Sequence, residues 1–210
     1  ADQTDEPGRF AALHGFEWTN PILGHINVIN SDDFTHALKD FSIPSFYRWL
    51  TARPDAFAQY NHPGSGDTIG PEFLHFRLFP RAVPQMVGVE LWNGREGFDF
   101  YYYGGSWNSE VSYMDVANQN GWQLGALGDQ DNHSANWGTQ TDFRTAVLAV
   151  ELNREAILDA YRHRRFYSTE DKDLRLDFRC AGYPMGSHVQ DAVREFHVTA
   201  SDDSGDTFAE

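Results

Sequence analysis

Short apolar runs that break off in polar, chemistry-bearing residues constrain this 210-residue chain more than any other feature. Phe10 to Trp18 reads as a strand carrying Glu17 near its end, and Gly24 to Asn30 as a second opened by His25. Ala56 to Tyr60 reads as a strand leading into Asn-His-Pro-Gly at 61–64. Gln85 to Trp92 carries Glu90 and ends in Asn93-Gly94, and Trp122 to Leu127 runs into Gly-Asp-Gln-Asp-Asn-His at 128–133. Helical patterns fall between and after these runs. Ile43 to Leu50 has a proline near its start and an aromatic face, Val111 to Asn120 follows, and Arg154 to Arg164 is capped by Asn153 with Ile157, Leu158 and Tyr161 on one side. Thr145 to Leu152 reads as a further strand. Alternation of this kind predicts an α/β fold, an open sheet or a barrel.

Past about residue 170 the texture changes. Leu174, Leu176 and Phe178, then Phe196 and Val198, alternate around a Gly-Tyr-Pro-Met-Gly turn, so residues 171–210 are expected to begin a β-rich unit after a first unit over 1–170. Both ends look abrupt, and the chain is expected to be the later part of a longer or cleaved protein.

Sixteen Lys and Arg stand against 31 Asp and Glu, a formal charge of -15, which argues against nucleic acid or an anionic membrane as partner. One cysteine, Cys180, excludes an intrachain disulfide and a thiolate cluster, so any metal would rest on His, Asp and Glu. Lysine is scarce while Trp, Tyr, Asn and Gly abound, a flavour that suggests a secreted or periplasmic protein. There is no nucleophile elbow, P-loop or dinucleotide fingerprint.

The metal-capable residues are Glu17, His25, His62, Asp131 and His133, most of them at strand ends, where βα loops converge in parallel barrels. Taken singly, each acid is as well explained by a turn or helix cap, and each histidine by surface or hydrogen-bonded core. Together they make the donor set of a hard or borderline divalent ion, with Glu17 suited to bridge two ions. Asp131 and His133, two apart on an extended chain, point the same way. Asp129 reads as a turn former. Arg95 is the candidate phosphate contact, Ser-Ala-Asn-Trp-Gly at 134–138 the segment placed to border the site, and 98–107 an aromatic wall or loop packing.

The segments Gly-Phe-Glu-Trp-Thr, Gly-His-Ile-Asn-Val, Asn-His-Pro-Gly, Gly-Val-Glu-Leu-Trp-Asn-Gly and Gly-Asp-Gln-Asp-Asn-His resemble, in order and spacing, the later motifs of the polymerase and histidinol phosphatase (PHP) superfamily. The similarity covers roughly residues 10 to 170 and is nearest to secreted phosphoesterases and the carbaryl-hydrolase-like branch. It implies a distorted (β/α)7 barrel, N-terminally incomplete, and two or three divalent ions, zinc before manganese or iron. It makes Glu17 the bridging carboxylate, His25 and His62 ligands of one ion, Asp131 a ligand of a second and His133 a ligand nearby. Glu17, Asp131 and His133 would then be the catalytic set, with Glu90, Asn93, Arg95 and Asp129 supporting them or touching substrate. The family's leading His-x-His motif occurs nowhere in the chain, so an upstream segment or a second chain is expected to complete the barrel. The implied activity is hydrolysis of a small-molecule or lipid phosphoester, as a phosphodiesterase or phospholipase C-like enzyme. A carbamate or carboxyl-ester hydrolase on the same site, or a non-catalytic lipid- or glycan-binding module, are the alternatives.

Overall fold

In a computed structural model, residues 1–64, 71–98, 112–190, 192 and 195–205 are described. Five strands form one mixed sheet in chain order: β1 (Gly15–Asn20), β2 (Gly24–Ile29), β3 (Phe57–Asn61), β4 (Met86–Asn93) and β5 (Gly125–Asp129). β1, β2 and β3 pair antiparallel, whereas β3, β4 and β5 pair parallel. An antiparallel pair, β6 (Arg144–Val147) with β7 (Phe166–Thr169), adjoins β5, where Thr145 Oγ1 exchanges hydrogen bonds with the backbone of Gly128. A third, antiparallel sheet joins β8 (Arg175–Cys180), β9 (Tyr183–Pro184) and β10 (Phe196–Ser201) in the order β10-β8-β9.

The expected (β/α)7 barrel is therefore wrong: the described residues form an open mixed sheet, two small sheets and four short helices, with no closed barrel. The reason is connection length. Only Pro21, Ile22 and Leu23 separate β1 from β2, and a parallel crossover needs a dozen or more residues, so the two strands must turn back as a hairpin. Asn20, fully buried, fastens that turn. Its Oδ1 accepts from the N–H groups of Ile22 and Leu23 at 2.9 and 3.0 Å, and its Nδ2 donates to the Phe41 carbonyl at 2.8 Å.

One sheet face carries the aromatic core. Trp18, Ile26, Val28, Ala58, Tyr60, Met86 and Val89 point into it, against α1 (Ile43–Thr51), the single turn α2 (Phe73–Phe76) and α3 (Tyr113–Gln119). Helix α1 starts where the sequence reading puts it, because Ser42 and Ser45 close a reciprocal capping box and Pro44 sits in the first turn. Within the core the hydroxyls of Tyr47 and Tyr60 hydrogen-bond to each other, and the Trp122 indole donates to the Phe76 carbonyl at 2.8 Å. Matching these tips lowers the cost of burying the rings that carry them.

The opposite face is divided. Its lower half is apolar, with Phe57 and Val87 packed under Leu158 of α4 (Arg154–Arg162) and Phe57 stacked on Tyr161 at 5.8 Å. Its upper half, toward the carboxyl ends of β3, β4 and β5, is polar and is not covered by α4. No described helix is long and apolar enough to cross a membrane.

Removing the Asn20 side chain takes the partner from three backbone groups at the turn that decides the topology. Asn20→Ala is expected to lower unfolding free energy by about 2 kcal/mol in urea titrations. A loss below about 0.5 kcal/mol would show that the hairpin does not rely on Asn20.

Candidate metal centre

The polar half-face follows from strand periodicity. Trp18 turns toward the core, so Glu17 and Thr19 face the other way; on β2 the same alternation sends Ile26 inward and His25 and Asn27 outward. Antiparallel register sets Glu17 opposite Asn27, and His25 opposite both Thr19 and Asn61. His62 follows directly on β3. Three elements thus deliver Glu17, His25 and His62 to one spot, where one donor atom from each lies within 4.8 Å of the other two.

Glu17 is the hub. Its Oε1 lies 3.4 Å from His25 Nδ1 and 3.7 Å from His62 Nε2, and accepts a hydrogen bond from Asn61 Nδ2 at 2.9 Å. Its Oε2 accepts from Thr19 Oγ1 at 3.1 Å. Burial pushes the Glu17 carboxyl up, but the hydrogen bonds from His25, His62 and Asn61 outweigh it and hold the group well below the usual carboxylate range. The two imidazoles meet edge to face with centroids 4.8 Å apart. His62 and Asp131 both take positive φ, 28° and 42°, conformations that non-glycine residues hold only where the surroundings enforce them.

Behind His62 stands Glu90, fully buried. Its Oε2 accepts from the His62 backbone N–H at 2.7 Å and from Asn93 Nδ2 at 3.0 Å. Burial, then the adjacent Asp129 carboxylate, push its pKa well above the ordinary carboxyl value. Asp129 ends β5: its Oδ2 accepts from Asn27 Nδ2 at 3.1 Å, and its Oδ1 accepts from the Asp131 N–H at 2.7 Å, the local bond of a turn former. Asp131 itself is raised by burial, then by Asp129 and Glu17.

A cavity of about 560 Å³ opens over this half-face. Glu17, Asn27, Asn61, Asp129 and Asp131 form its floor, and Trp92, Trp137, Phe143, Arg144 and Thr145 its walls. Gly128 lets the Trp92 ring lie against β5, since a Cβ there would stand 2.5 Å from the indole.

The structure brings Glu17, His25 and His62 together, sets Asp129 and Asp131 with Glu17 on the cavity and places Glu90 and Asn93 behind His62. His133 is not part of the triad but lines the same cavity as Glu17 and Asp131. Its side chain is 85% exposed and its Nδ1 lies 2.8 Å from the Asp131 carbonyl oxygen and 3.7 Å from Asp131 Oδ1. Arg95 is exposed in the turn after β4 and does not line the cavity. Of the 98–107 run, residues 99–107 lie outside the described residues. Trp137 and Gly138, from the 134–138 segment, are on the cavity wall.

Asn27, Asn61 and Arg144 were missed by sequence reasoning. Asn27 was legible in strand parity, two residues beyond His25, whereas Asn61 reaches the site as the cross-strand partner of His25. Arg144 carried no local signal. A second acidic group, Asp171, Asp173 and Asp202, gathers within 4.8 Å beside β8 and β10, and the hydrogen bond with Asp171 pushes Asp173 up to about 6. No family model, curated protein or solved structure matches this chain.

Glu90 keeps its proton to higher pH in the fold than in the unfolded chain. Its contribution to stability is therefore full below the ordinary value of 4.5 and is lost as pH rises through its raised folded value. Glu90→Gln can keep an oxygen toward His62 and Asn93 and turn its amide toward Asp129. In EDTA-treated protein it is expected to flatten the fall of Tm with pH above about 4.5. Parallel Tm profiles for variant and wild type would show that Glu90 is not the group responsible.

Proposed function

We propose that this chain is a metal-dependent hydrolase of phosphoesters, with its centre on Glu17, His25 and His62. The observation that carries the reading is the convergence of these three donors, with Glu17 on the floor of a cavity large enough for a small substrate. Two imidazoles and a carboxylate are the donor chemistry of zinc, and manganese or iron are accommodated by the same groups. The spread of the donors fits as well. Ligand atoms about 2.1 Å from a common ion stand at most about 4.2 Å apart, so a cluster within 4.8 Å needs to close by less than an ångström. Asp131, and His133 beside it, are the groups from which a second ion would draw.

When bound, the ion supplies Lewis-acid polarisation of an ester oxygen. The protein's own part begins with Asn61, whose amide fixes the Glu17 carboxylate toward the imidazoles. Glu90 grips the His62 backbone and so sets the ring. Asp131, facing the cavity with a raised proton affinity, accepts a proton from a water as its oxygen attacks phosphorus, and returns that proton to the ester oxygen as the P–O bond breaks, so that the group leaves as a neutral alcohol. The motif similarity to PHP phosphoesterases supports the same chemistry, although the sheet is not that family's barrel. A second reading, hydrolysis of a carbamate or carboxyl ester, is favoured by one observation. The guanidinium of Arg144, on the cavity wall, is already bonded to the carbonyls of Thr141, Phe143 and Gly138.

Stripped protein titrated with zinc chloride is expected to bind by calorimetry. Glu17→Ala should abolish that binding, and Asn61→Ala should weaken it about 10–100-fold, as loss of a ligand's supporting hydrogen bond does. Bis(4-nitrophenyl) phosphate should be cleaved by loaded wild type and not by Glu17→Ala, with an aryl carbamate run alongside to separate the two readings. Absence of saturable metal binding by the wild type would overturn both.

A further inference from the structure

The cavity wall beyond the triad has a composition that the hydrolase reading uses only through Asp131 and His133. Asp129 and Asp131 face it, and neither has a Lys or Arg partner among the described residues. Asp129 is held by an asparagine amide, a backbone N–H and the Glu90 carboxyl, and the imidazoles of His62 and His133 are the positive groups that act on Asp131. Against these acids stand aromatic rings. Phe143 meets Trp92 edge to face at 5.5 Å, and Trp137, 73% exposed, is tethered by its indole N–H to the Asn132 carbonyl at 3.1 Å. Arg144, the one Lys or Arg among the described lining residues, spends its guanidinium on three carbonyls of its own loop, at 2.8, 2.7 and 3.1 Å.

Acids without Lys or Arg partners beside π faces repel a phosphate dianion and attract a cation, above all one with a weakly hydrated apolar coat. The chain's charge of -15 adds a field of the same sign. We propose that the cavity selects the quaternary-ammonium end of its substrate, with Trp137 and Phe143 packing against the methyl groups and Asp129 and Asp131 supplying the charge. The cleaved ester then lies toward Glu17. This makes Trp137 and Phe143 specificity-determining residues and narrows the substrate to choline-like esters. That last step rests on the hydrolase reading, while cation binding itself does not.

The test is calorimetric titration with choline chloride and, in parallel, with 3,3-dimethyl-1-butanol, which has the same shape without the charge. Both EDTA-treated and zinc-loaded protein are used. Choline is expected to bind in both states and the alcohol about tenfold more weakly, the discrimination a partly desolvated cation–π site provides. Trp137→Leu, which keeps an apolar side chain at this exposed position but removes the π face, should lose about tenfold in choline affinity with zinc affinity and Tm unchanged. Phe143→Leu should do the same to a smaller degree. Equal binding of choline and the alcohol, no saturable choline binding, or a Trp137→Leu variant with wild-type choline affinity would each overturn the proposal. Choline binding without zinc binding would sink the hydrolase reading alone; zinc binding without choline binding would sink this one alone.

Discussion

The register between β1, β2 and β3 is the constraint on which the site depends. With Glu17 opposite Asn27 and His25 opposite Asn61, two antiparallel ladders put a carboxylate, two imidazoles and two amides on the same few square ångströms of sheet. A slip of one residue in either ladder would send Glu17 or His25 into the aromatic core and Trp18 or Ile26 into solvent. The core thus enforces the site: burying Trp18, Ile26 and Tyr60 leaves no second way to lay these strands down. Hydrophobic burial, which is non-directional, is turned into positional accuracy by the two-residue period of the strand.

Polar groups on the upper half-face form one hydrogen-bonded set rather than a scatter. Asn61 links Glu17 to the backbone of Asn27 through its Oδ1, Asn27 reaches Asp129, and Glu90 ties His62 to Asn93. Buried or half-buried acids are costly unless hydrogen-bonded, and Glu90 next to Asp129 meets that demand only in part, as its raised proton affinity shows. Electrostatic cost gathered in one place in this way is common at functional sites, which is what makes this half-face the candidate.

Local structure was largely legible in the sequence. Asn153 caps α4 through the Ala156 N–H, the proline-started helix runs from Ile43, and the alternating segments past residue 170 become β8 and β10. Topology was not. Reading β1 and β2 as successive barrel strands ignored the three residues between them, too few for anything but a reversal, and β7 at Phe166–Thr169 went unread behind α4. For the site, Glu17, His25 and His62 were found because their residue types are informative. Asn27 and Asn61 were not, because an asparagine near a strand end usually means a turn. Arg95 was drawn in by adjacency in sequence, yet the chain turns after Asn93 and leaves its side chain in solvent, whereas His133, also largely exposed, lines the cavity with Asp131.

The sheet's two-facedness also divides the labour of neighbouring residues. Along β1 and β2, and again from Gln59 to Asn61, each residue that keeps the chain folded sits beside one free of that duty. The two kinds of selection, on persistence and on chemistry, therefore act on interleaved positions. A lineage could exchange what the polar half-face does, acid for amide or imidazole for acid, while every aromatic beneath it stayed in place. The same strands that make this centre are in that sense a rewritable surface laid over a permanent one.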